Sequence, residues 1–141
     1  MKPLTIPGKL ESLDSVTSYV LQAATRAGLD YRASYRLRLA VDEITTNIIL
    51  HGLDDEQAAG TITMSAEMDE AYLTIHIEDT GTGYNPYEAL PPDKMWGPIE
   101  TRRLGGWGIY LAMWGVDQYH YSRIRECNRS TLKVQRPCKY H

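Results

Sequence analysis

The feature that most constrains this chain is a change in the period of its apolar residues. Leu10, Leu13, Val16, Val20, Ala23, Ala24 and Ala27 recur at threes and fours, and so do Leu37, Val41, Ile44 and Ile48. That spacing predicts two amphipathic helices. Gly28 is a natural stop for the first, and Asp30 can cap the second, which is expected to run to about Leu50 and close at Gly52. From Ile62 the period falls to two: Ile62, Met64, Ala66 and Met68, then Leu73, Ile75 and Ile77. Two half-buried strands follow from it, joined by a tight turn at Met68-Asp69-Glu70-Ala71. Leu4-Thr5-Ile6-Pro7 fits an edge strand, where proline is tolerated.

Beyond Asp79 the periodicity breaks down. Thr80 to Leu104 is a stretch of Gly, Pro and isolated aromatics, and a segment that long inside a compact domain reads as a functional lid. A third helix is expected from about Gly106 through Ile109, Leu111 and Ala112. Two last strands are expected around Gln118 to Arg123 and Ser130 to Arg136. At 141 residues the chain is read as a single domain over 1–141, with helices layered on one face of a mainly antiparallel sheet.

Composition removes several classes. With 43% apolar and 23% charged residues the chain is ordinary and globular, and no run approaches the roughly 20 apolar residues of a membrane span. The Met1-Lys2-Pro3-Leu4 start lacks the apolar core of a secretory signal. Net charge is −3 with both signs interspersed, so neither nucleic acid nor an anionic membrane is expected as partner. Cys127 and Cys138 have no metal-type spacing, and the four histidines form no zinc pattern. Two cysteines in a chain of this size point to a reducing cytoplasm.

Three constellations carry chemistry. Glu43, Asn47 and His51 recur every fourth residue and share one helical face. Ile48, Ile49 and Leu50 make that helix end apolar nearly all round and argue for its burial. A polar stripe there needs partners, which a ligand and its metal could supply; an exposed face with an ordinary Glu–Asn contact is the plainer alternative. In Ile77-Glu78-Asp79-Thr80-Gly81-Thr82-Gly83, Asp79 continues the inward parity of Leu73, Ile75 and Ile77. A carboxylate there needs donors, and the amino group of adenine is one. Gly81 and Gly83 leave room for a flat base; a strand ending in an Asp-Thr-Gly turn is the alternative. Finally, Arg102-Arg103-Leu104-Gly105-Gly106-Trp107-Gly108 places glycines at a helix start, where backbone N–H groups and the dipole favour phosphate. A flexible glycine hinge would look the same.

In this order and spacing the three together resemble the Bergerat-type (GHKL) ATP-binding domain shared by gyrase, sensor histidine kinases and MutL proteins. Its helix with Glu and Asn four apart is matched by Glu43 and Asn47, and its Asp-x-Gly-x-Gly box by Asp79, Gly81 and Gly83. The glycine lid is matched by Gly105, Gly106 and Gly108, and a threonine on a late strand by Thr131. The resemblance implies a two-layer α/β sandwich and a site for ATP and Mg²⁺. In that site Asp79 selects adenine, Asn47 ligates the metal, Arg103 and the glycines face phosphate, and Glu43 is the general base.

Dimerisation helices and a phosphoacceptor-histidine segment are not seen ahead of Glu43, so a complete sensor kinase is not expected. The stretch from Leu37 to Asn47 with His51-Gly52, and Gly105-Gly106-Trp107-Gly108-Ile109-Tyr110-Leu111, look like anti-sigma-factor serine/threonine kinases of the RsbW type. That likeness implies a homodimer that phosphorylates a small STAS-domain anti-anti-sigma protein, sequesters a sigma factor, or does both. A nucleotide-dependent binding regulator with little or no phosphotransfer is the other reading.

Overall fold

The computed structural model describes residues 1–52, 60–81 and 115–138. Five strands among them form one antiparallel sheet in the order β1-β2-β3-β5-β4. These are β1 (Leu4–Pro7), β2 (Thr61–Met68), β3 (Tyr72–Asp79), β4 (Gln118–Ile124) and β5 (Cys127–Gln135). Two helices, α1 (Leu13–Ala27) and α2 (Tyr31–Asn47), cover one face.

Alternation decides which face. Ile62 and Met64 of β2, Leu73, Ile75 and Ile77 of β3, and Leu132 and Val134 of β5 join one core with Val16, Val20, Ala23, Leu37, Val41 and Ile44 of the helices. The residues between them, Thr63, Ser65, Thr74, His76, Glu78, Arg129, Thr131 and Lys133, form a polar opposite face. The expected α/β sandwich is the architecture observed. Its proline-ended strand β1 pairs only with β2, at the sheet edge.

The helix boundaries follow from their end residues. Gly28 sits at φ 76° beyond α1, and the Leu29 N–H donates to the Ala24 carbonyl oxygen at 3.0 Å. That left-handed cap strains any side chain. Asp30 accepts from the Ala33 N–H at 2.7 Å and caps α2. In the β2–β3 turn Asp69 Oδ1 accepts from the N–H groups of Ala71 and Tyr72, both at 2.7 Å.

Four expectations change. Leu10 lies in a short 3₁₀ turn, Leu10–Ser12, and is 52% exposed, so α1 starts at Leu13 and its apolar stripe is completed by Tyr19. After Asn47 the chain widens into a π turn, Ile48–Gly52. The four-residue spacing that aligned His51 with Asn47 therefore ends at Asn47; the His51 side chain lies outside the described residues. Ile48 and Ile49 are buried there, but Leu50 is exposed. Lastly, β5 begins at Cys127 rather than Ser130. Arg125 and Glu126, at φ 52° and 63°, make a two-residue turn of the primed hairpin kind. The lid beyond Gly81 and the third helix fall in residues 82–114, outside the described residues.

Thr45 on α2 is fully buried, and among the described residues its hydroxyl has no hydrogen-bond partner. An orphaned buried hydroxyl costs about 1–3 kcal/mol. Thr45→Val keeps the branched shape and removes the oxygen, so stability should rise by about 1 kcal/mol, or roughly 3 °C in Tm. A calorimetric scan showing a lower Tm would mean that the hydroxyl is satisfied.

Candidate functional site

The last turn of α2 holds Glu43 and Asn47 together. Asn47 is buried, and its Nδ2 donates to the Glu43 carbonyl oxygen at 2.8 Å and to Glu43 Oε1 at 3.2 Å. Both acceptors demand the nitrogen, so the amide has one orientation, and Oδ1 is left as an acceptor away from these bonds. The plainer alternative is half right: a Glu–Asn contact exists, but its asparagine is buried rather than exposed.

Electrostatics sets Glu43 apart. No basic residue occupies the last turn of α2. Asp42 beside it is compensated by Arg38 at 3.5 Å and the Thr17 hydroxyl at 3.1 Å, although burial still pushes its carboxyl up. Among the described residues no cation pairs with Glu43. A carboxylate with no described cation partner, beside an amide oxygen not used in these bonds, is a donor set suited to a hard cation, directly or through water.

Asp79 ends β3 on the helix-covered face and is 4% exposed, as its parity requires. Its Oδ1 accepts from the Gly81 N–H at 2.9 Å and from Asn128 Nδ2 at 3.0 Å. Burial pushes its carboxyl up, and the bonds from Asn128 and Gly81 and the charge of Arg123 pull it part of the way back. Among the described residues no hydrogen bond reaches Oδ2. The Asp-Thr-Gly turn and Asn128 thus both use Oδ1, and among the described residues Oδ2 is left for another donor. That acceptor, with the Asn47 amide oxygen and the Glu43 carboxylate, fits an adenine nucleotide and its divalent cation.

The structure moves one expected residue out of this group. Thr131 is on the opposite face of the sheet from Asp79, where its hydroxyl meets His76 Nδ1 at 3.1 Å. The reason is parity: Asp79 pairs with Asn128 and Ile77 with Ser130, so Ser130 is the hydroxyl on the inward face. It is buried and bonds the Tyr119 hydroxyl at 3.0 Å. Gly83, Arg103, Gly105, Gly106 and Gly108 lie outside the described residues. Sequence reasoning missed Asn128, which becomes visible once β5 is started at Cys127, just after the two-residue turn that follows Ile124.

Among the described residues no group of three or more His, Cys, Asp or Glu could hold a metal ion. None of their helices is long and apolar enough to cross a membrane.

Comparison with known proteins identifies the family. The histidine kinase-like ATPase domain family matches residues 6–134. The serine-protein kinase RsbW of Listeria innocua is 30% identical over 111 residues, which span 77% of this chain and 70% of that protein. The serine/threonine-protein kinase BtrW of Bordetella bronchiseptica is 28% identical over 101 residues, 72% of this chain and 70% of it. A crystal structure of RsbU and RsbW domains from Mycobacterium tuberculosis shares the fold with a TM-score of 0.66 at 16% identity, over 100% of this chain and 35% of that one. The histidine kinase domain of a blue-light activated kinase from Erythrobacter litoralis does so with 0.56 at 19%, over 92% of this chain and 61% of that one. This chain belongs to the histidine kinase-like ATPase domain family, and within it is related to the RsbW serine-protein kinases.

Proposed function

We propose that this chain is an ATP- and Mg²⁺-dependent serine/threonine protein kinase of the RsbW type. Its substrate would be a serine or threonine of a small STAS-domain anti-anti-sigma protein. A sigma factor would be its sequestered partner, and it would work as a cytoplasmic homodimer. The observation that carries the reading is the Glu43–Asn47 pair: a carboxylate with no cation partner among the described residues, beside an amide whose orientation is fixed. Its relatives named RsbW serine-protein kinase support the protein substrate.

Each residue then has a task. Asp79 Oδ2 would accept from the adenine amino group, and Gly81 and Gly83 would let the base lie against the backbone. Asn47 Oδ1 would hold the metal. Gly105, Gly106, Gly108 and Arg103 would face the phosphates. ATP with Mg²⁺ supplies the phosphoryl group, the ADP leaving group and a cation that offsets their charge. Glu43 would take the proton of the partner's hydroxyl as its oxygen becomes the phosphoester oxygen.

A second reading has one observation in its favour. Glu43 Oε1 accepts from Asn47, so the carboxylate also orients the amide, a role useful to a nucleotide-dependent binder without transfer. Incubating the chain with γ-labelled ATP, Mg²⁺ and a STAS-domain protein separates the two. Kinase action transfers label to a partner hydroxyl; a binder forms the complex and leaves the partner unlabelled.

A further inference from the structure

We propose that Asn128 is a positioning residue for base recognition: it holds Asp79 by one carboxylate oxygen and so presents the other to the amino group of a purine. The proposal rests on the nucleotide reading given above and adds the device that sets its base preference.

The geometry is a single row across three strands. Asp79 of β3 pairs with Asn128 of β5, and Asn128 pairs with Arg123 of β4. The two-residue turn at Arg125 and Glu126 fixes this row, because a slip of one residue would send Asn128 to the polar face. The Asn128 amide is 5% exposed, and four of its bonds fall among the described residues. Nδ2 donates to Asp79 Oδ1 and to the Gly81 carbonyl oxygen, both at 3.0 Å. Oδ1 accepts from the Tyr121 hydroxyl at 2.6 Å and from Arg123 Nη1 at 2.7 Å. Turning the amide over would face its oxygen to a carboxylate and a carbonyl and its nitrogen to two donors, so it has one orientation.

The arrangement also controls what Asp79 can do. An arginine directly against a carboxylate tends to take both oxygens in a forked pair. Here the guanidinium of Arg123 stops one residue short: Nη1 bonds Asn128 and, at 2.9 Å, the Gly81 carbonyl oxygen. Its charge favours the ionised form of Asp79 through the amide, without occupying Oδ2. The same two side chains tie down Gly81, whose backbone begins the segment expected to lie against the base. Had Asp79 served only its own turn, a neutral asparagine or serine would have done so without burying a charge.

The test pairs a residue change with a change in the ligand. Calorimetry compares Mg²⁺–ATP with Mg²⁺–purine riboside triphosphate, which lacks the exocyclic amino group, on the intact chain. The parent should prefer ATP. Asn128→Ala should lose about tenfold in ATP affinity and only about twofold for the analogue, which meets a loosened Gly81 but has no amino group to misplace. Arg123→Ala, at an exposed position that threatens folding less, should lose about threefold with the same selectivity for ATP. Equal losses for both ligands, or none for either, in folded variants of a parent that prefers ATP would overturn the role of Asn128 and leave the nucleotide site standing. A parent that binds the two ligands alike would overturn the adenine reading itself, and the role of Asn128 with it.

Discussion

Glu43→Gln is expected to bind Mg²⁺–ATP about as well as the parent and to phosphorylate its partner roughly 10²–10⁴ times more slowly. Glutamine keeps a carbonyl oxygen where Glu43 Oε1 accepts from Asn47, so the amide keeps its orientation. What disappears is the basic carboxylate. The variant should still fold, since glutamine keeps the length of the side chain and the bond to Asn47. It should still associate with its partner. Single-turnover transfer measured beside calorimetry distinguishes the outcomes: full transfer would place the base elsewhere, and loss of ATP binding would make Glu43 part of the metal site.

Asp79→Asn should lower ATP affinity by about ten- to a hundredfold while the apo protein stays folded. Asparagine can keep its oxygen toward Gly81 and Asn128, but it then turns an N–H, not an acceptor, toward the adenine amino group. The effect on stability has the opposite sign. Burial raises the Asp79 carboxyl above its ordinary range. A raised folded-state pKa contributes stability below the unfolded value, and that contribution is lost as pH rises through the folded one. Above that folded-state value the parent carries an ionised, desolvated carboxylate that the variant lacks. There Asp79→Asn should be at least as stable as the parent. The gain should vanish on acidification below the carboxylate range. Unchanged ATP affinity in a folded variant would remove Asp79 from the site.

The parts of this fold legible in the sequence are those set by one residue acting locally. Gly28 and Asp30 mark the junction of α1 and α2 because a left-handed cap and an N-cap each have few occupants. The inward parity of Asp79 could be counted from Leu73, Ile75 and Ile77. What stayed hidden depends on pairing. The turn before β5 carries Arg125 and Glu126 in place of the Asn-Gly that announces a primed turn, so the strand begins earlier than its apolar residues suggest. That difference conceals Asn128. It also leaves Ser130 and Thr131, adjacent hydroxyls of opposite facing, indistinguishable until the register is known. The π turn after Asn47 has no local signature either, and it ends the spacing that joined His51 to the stripe.

The central claim, an adenine nucleotide site built on Asp79 and Asn47, is tested most directly by a crystal structure of the chain with a non-hydrolysable ATP analogue and Mg²⁺. The predicted result has the adenine amino group within hydrogen-bond reach of Asp79, directly or through one water, and the metal on the amide oxygen of Asn47. A nucleotide seated elsewhere, or one whose base touches neither Asp79 nor a water bound to it, would contradict the account.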